Sequence, residues 1–125
     1  MGIRVLILSL VLLAGCSKSE WKLPAEIEGG WKLSVLPPNQ ETFELGKRLA
    51  AKRSMMGGYE GPGKLFVSVF DLGNGVAFEQ VQKWRAQPGK IVFNHGIWFV
   101  LLESEGMDSS QLSKLAPLVE RTMPD

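Results

Sequence analysis

KLFVSVFDL, residues 64–72, is the stretch on which the architecture turns. From Leu65 to Leu72 only Ser68 and Asp71 are polar, so neither side of an extended chain is left for water. A short run that is apolar on both faces reads as a central strand covered on both sides. Upstream, Trp31-Lys-Leu-Ser-Val35 alternates apolar and polar residues, the pattern of a half-buried strand, and Pro37-Pro38 ends it. From Gln40 to Arg53 the period becomes helical. Phe43, Leu45, Leu49 and Ala50 take one side, and Glu44 and Arg48 stand at i,i+4. Met55 to Lys64 reads as a glycine-rich connection.

Downstream, Asn74 is placed to cap a helix over about 75–87, with Ala77, Phe78, Val81 and Trp84 in one stripe. Pro88-Gly89 closes it. Lys90–Phe93 and Ile97–Leu102 are two strands about Asn94-His95-Gly96, which suits a three-residue hairpin loop with Gly96 left-handed. Asp108 and Gln111 form a capping box with a Met107/Leu112 staple, opening a last helix that Pro117 is expected to kink. The order is β-α-β-α-β-β-α. The expected class is α+β, a small mixed or antiparallel sheet with helices packed on it, in one domain over residues 31–125.

The N-terminus follows another logic. Arg4 is followed by Val5 to Leu13, apolar except for Ser9. A short positive segment and an apolar run of about 7–15 residues form the pattern of an export signal. The run is shorter than the roughly 20 apolar residues that cross a bilayer. It stops at Leu13-Ala14-Gly15-Cys16, which resembles the lipobox of bacterial lipoproteins. The resemblance implies a signal peptide over 1–15, cleaved by signal peptidase II, and a diacylglycerol on the Cys16 thiol. Residues 16–30, with Pro24 and Gly29-Gly30, then read as the lipidated cysteine and its tether. Two or three acyl chains anchor stably where one does not. An Asp after the acylated cysteine would favour inner-membrane retention in a Gram-negative cell. Ser17 stands there, which implies the outer membrane, facing the periplasm, if the host is Gram-negative.

Composition limits the remaining choices. With 125 residues, 45% of them hydrophobic, the chain can fill one modest core. Lys and Arg number 14 against 13 Asp and Glu, and removing Arg4 with the leader leaves 13 against 13. Nucleic-acid binding, which needs a strong basic footprint, is excluded on that balance. A single cysteine forbids an internal disulfide and a cysteine-based metal site.

Chemical motifs are few. Gly58 to Lys64 satisfies GxxxxGK, but a strand follows where a phosphate cradle needs a helix, and Leu65 replaces the Ser or Thr. His95 is the only histidine and sits in an expected turn, with no marked nucleophile to form a triad. No catalytic residue, cofactor or metal ligand is assigned. Arg48 and Lys52 share a helix face at i,i+4 and are candidate partner contacts. Trp21 and Trp31, flanking the tether, are candidates for the same role, whereas Trp84 and Trp98 fall on faces expected to be core.

The pieces Gly30-Trp31, Tyr59 with its glycine-rich turn, Val67–Leu72, Ala77-Phe78 and Gly96 before an aromatic strand resemble an uncharacterised family of exported bacterial domains. That resemblance implies a fold relationship and no reaction. The expected function is therefore that of a lipid-anchored, non-catalytic binding or assembly module at the cell envelope. It would be attached to the membrane through acylated Cys16 and would contact an envelope protein. The alternatives are a small envelope hydrolase using His95 and a small-ligand carrier with an apolar pocket between sheet and helices.

Overall fold

The computed structural model describes residues 21–34 and 40–124. It places the doubly apolar stretch inside an antiparallel sheet. The strands are β1 (Glu26–Ile27), β2 (Trp31–Ser34), β3 (Arg53–Glu60), β4 (Lys64–Asp71), β5 (Lys90–His95) and β6 (Trp98–Glu103), and the helices are α1 (Gln40–Arg48), α2 (Val76–Lys83) and α3 (Ser109–Glu120). In space the strands run β1-β2-β3-β4-β6-β5, each antiparallel to its neighbour. The fold is α+β, and β4 lies between β3 and β6.

Alternation along β4 divides the core in two. Leu65, Val67 and Val69 join Tyr59, Val100 and Leu102 under Leu112 and Val119 of α3, with Trp21 and Leu23 of the N-terminal segment packed beside them. Phe70 joins Phe99 on the opposite face, beneath Leu45 of α1 with Leu49 just after it, and Ala77 and Val81 of α2 with Trp84 at its end. The protein is thus a three-layer sandwich whose two helical layers bury the two faces of one strand.

Several expectations need correction. The glycine-rich connection is β3, paired along its whole length with β4 from Arg53↔Asp71 to Glu60↔Lys64. Its glycines hid it. Gly57 leaves room for Leu23 and Leu33, whose side-chain carbons would stand 2.8 and 2.9 Å from a Cβ there. Residues 21–30 are part of the fold: Ile27 pairs with Trp31, and the Trp21 indole donates to the Thr122 carbonyl at 2.9 Å. Two strands, β1 and β3, are therefore added to the expected order. Helix α1 stops at Arg48, because Ala50 turns left-handed (φ 56°) and the Lys52 amide bonds to the Asp71 carbonyl.

Helix α2 is also shorter than its stripe suggested. Gly75, not Asn74, is its N-cap residue, and Trp84 leaves it in an extended conformation. His95 closes β5, paired with Trp98, so the hairpin turn is Gly96-Ile97 with Gly96 at φ 59°. A two-residue turn with a left-handed glycine first is the kind that follows strand twist. The capping box forms as read: the Gln111 amide donates to Asp108 Oδ1 at 2.9 Å and the Asp108 amide to Gln111 Oε1 at 3.0 Å. Helix α3 continues through Pro117 to Glu120.

Tyr59 ties the N-terminal segment to the sheet. It is fully buried, and its hydroxyl donates to the Pro24 carbonyl at 2.6 Å. Burial pushes its ionisation up from 10.0 to about 12. The unfolded chain therefore loses this proton first, so the contribution is intact below pH 10 and declines as pH rises toward 12. Tyr59→Phe should cost about 1 kcal/mol at neutral pH by orphaning the carbonyl. Thermal melts on either side of pH 10 should show the gap between wild type and variant narrowing as pH rises. A constant gap would contradict this account.

Candidate functional site

On α1, Glu41, Thr42, Leu45 and Arg48 recur at three- and four-residue intervals and so share one side of the helix, which Leu49 of the following turn extends. On α2, Gln80 and Lys83 do the same, and Trp84 follows at the helix end. Between these two sides, over Phe99 and Leu101 of β6, lies a groove of about 360 Å³. Leu45, Leu49, Phe99 and Leu101 give it an apolar interior, while Arg48, Lys83, Arg85 and Lys90 line it with charge, against one carboxylate, Glu41. That carboxylate is answered, since Lys90 Nζ stands 3.2 Å from Glu41 Oε1. Arg48, Lys83 and Arg85 make no ion pair among the described residues. The expected Glu44–Arg48 pair does not form, because Glu44 accepts from Gln40 Nε2 at 3.1 Å.

Trp84 supplies the unusual group. Its ring tilts against Phe99, centroids 6.0 Å apart and planes at 56°. Its Nε1–H is buried and has no hydrogen-bond acceptor among the described residues. A buried donor without a partner costs about 1–3 kcal/mol, so such groups are rare outside sites that take a ligand or water.

A wider hollow of about 900 Å³ adjoins the groove and shares Glu41 and Lys90 with it. Among its several polar groups Glu103 is nine-tenths buried, at the end of β6. Glu103 accepts from Thr42 Oγ1 at 2.8 Å and faces Lys90 Nζ at 3.5 Å. These bonds pin the start of α1 to β5 and β6, which makes Glu103 a joint holding one wall of the groove.

The other sequence candidates fall elsewhere. Cys16 lies outside the described residues. Trp31 is 3% exposed and belongs to the core, and Trp21 is tied by its indole bond and rests against Trp98, centroids 6.1 Å apart. Both indoles pack on the α3 side of the sheet, Trp31 buried and Trp21 half-buried. Arg48 lies on the groove, but Lys52 sits beyond the end of α1, so the two do not share a helix face. His95 Nδ1 is 2.9 Å from Glu120 Oε2 and Nε2 is 2.8 Å from the Pro124 carbonyl, which clasps the end of α3 to β5. Gly61–Gly63 is the turn of the β3–β4 hairpin, with no helix after it to face a phosphate.

Among the described residues no group of three His, Cys, Asp or Glu is placed to hold a metal, and no helix is long and apolar enough to cross a membrane. The groove has cations at its rim and apolar side chains between them, with the unpartnered Trp84 N–H buried at its edge. Sequence reasoning passed over Lys83 and Arg85 and read Trp84 only as core. The signal was Lys83-Trp84-Arg85 itself, an aromatic between two cations at a helix end. No protein-family model matches the chain, and no curated protein or solved structure matches it either.

Proposed function

We propose that this protein is a lipid-anchored lipoprotein of a bacterial envelope, non-catalytic, which works as a binding module held at the membrane surface. The observation that carries the reading is Leu13-Ala14-Gly15-Cys16, where the only cysteine of the chain follows two small residues at the end of an apolar run. The thiol at such a place is an acceptor for a diacylglycerol. The folded domain supports a binding role through its helix-lined groove. His95, the residue a hydrolase would need, has both ring nitrogens occupied in a clasp between β5 and the chain end.

Cys16→Ser should abolish acylation and leave an unprocessed precursor. Cells fed a clickable palmitate analogue and expressing either form give the test. Label on wild type alone, with slower migration of the variant, supports the anchor; equal labelling would overturn it.

A further inference from the structure

We propose that the groove between α1 and α2 is a specific site for a small organic oxyanion, a carboxylate or phosphate monoester on a compact aromatic or branched apolar body. The inference deepens the reading of the domain as a binding module, without depending on the anchor at Cys16.

Three independent features of the groove ask for such a ligand. Its interior is apolar and aromatic, built from Leu45, Leu49, Phe99, Leu101 and the face of Trp84. That favours a rigid hydrophobic body, and about 360 Å³ lies at the small end of ligand cavities. The Trp84 Nε1–H borders the groove without an acceptor among the described residues and shows it no open surface, so a ligand oxygen reaches this donor by a small turn of the indole. A cation cannot accept its proton, and an alkane leaves it unsatisfied; an oxyanion oxygen accepts it as a charge-assisted bond. The rim adds Arg48, Lys83 and Arg85, none ion-paired among the described residues, and the single acid is already bonded to Lys90. The whole chain is nearly neutral, so this concentration of positive charge is local to the groove. Together these features select against neutral and cationic ligands of the same shape.

The walls are braced by contacts among the groove's own lining and its neighbours. The Thr42–Glu103 bond anchors α1, and the Trp84–Phe99 contact anchors the end of α2. The ligand therefore meets walls already in place, and the ordering cost on binding is confined to the turn of the Trp84 ring.

The test uses the purified full chain in nonionic detergent, with naphthoate, naphthyl phosphate and the neutral naphthalenemethanol as probes. Binding is followed by the Trp84 indole N–H resonance, identified by its disappearance in Trp84→Phe. One of the two anions should saturate and move that resonance, while the neutral alcohol should bind at least tenfold more weakly. Which anion binds more tightly identifies the oxyanion. Trp84→Phe keeps an aromatic ring, a smaller one, and removes the donor, and should weaken the anion about tenfold. Lys83→Gln and Arg85→Gln, exposed changes that leave folding intact, should each weaken it several-fold and flatten its salt dependence. Equal affinity for the neutral probe, or no saturable shift with either anion at millimolar concentration, would overturn the proposal.

Discussion

Phe70→Ala should lower stability by about 3–5 kcal/mol, the range for emptying a fully buried aromatic site. Phe70 is wholly buried and lies where three elements meet. Its ring sits 6.2 Å from that of Phe99 on β6, tilted by 42°. Its edge also fills the space beside Gly46 of α1, where a Cβ would come within 2.9 Å of Phe70 Cε1. Truncation therefore removes the floor on which α1 rests, and the close approach of the helix leaves no side chain there to collapse into the void. Melting temperature falls by about 4–8 °C per kcal/mol in a domain near this size, so calorimetry should show a large drop. Ser68→Ala is the comparison. It lies on the same strand and face and is also buried, yet it loses only a hydroxyl. A small loss in Phe70→Ala, matching that of Ser68→Ala, would mean that α1 does not depend on this ring.

A second large effect is expected from a single methyl group. Gly89 has φ 71°, and a Cβ there would stand 2.5 Å from the Ser104 backbone carbonyl oxygen. The same residue accepts from the Ser104 amide at 2.9 Å, which closes the open end of the β5–β6 pair. Gly89→Ala should cost about 1–2 kcal/mol for the left-handed conformation and about 1 kcal/mol more for the strained or broken bond. Gly96→Ala separates the two contributions. It also sits at positive φ, 59°, but nothing lies within 4 Å of its would-be Cβ. Urea unfolding should place Gly96→Ala between wild type and Gly89→Ala. Equal midpoints for the two variants would remove the steric part of the argument.

The elements legible in the sequence were those whose signal is local. β4 declared itself by being apolar on both faces, the β5–β6 hairpin by Gly96, and α3 by the Asp108/Gln111 box. β3 was lost because its glycines serve a neighbour. The N-terminal segment passes over Gly57 at a distance no side chain allows, and that requirement comes from Leu23, 34 positions away. The packing of Trp21 and Trp31 could not be read locally for a related reason. Each lies beside polar residues, and only the folded chain brings them to Trp98 and Ile27. The groove could not be seen from either helix alone. Arg48 and Lys83 are far apart in the chain, and the cavity they border exists only because β6 carries both helices on one face.

The docking of Trp21 sets a direction as well as a contact. Five residue steps separate it from Cys16, a reach of no more than about 18 Å when fully extended. Its indole is fastened to Thr122, on the layer that carries α3. On the proposed anchor, this short leash draws the α3 side of the sandwich toward the bilayer. The groove of α1 and α2 belongs to the other layer, with the full thickness of the sheet between. Its mouth then looks outward, toward whatever diffuses through the surrounding aqueous compartment, and the membrane is at its back.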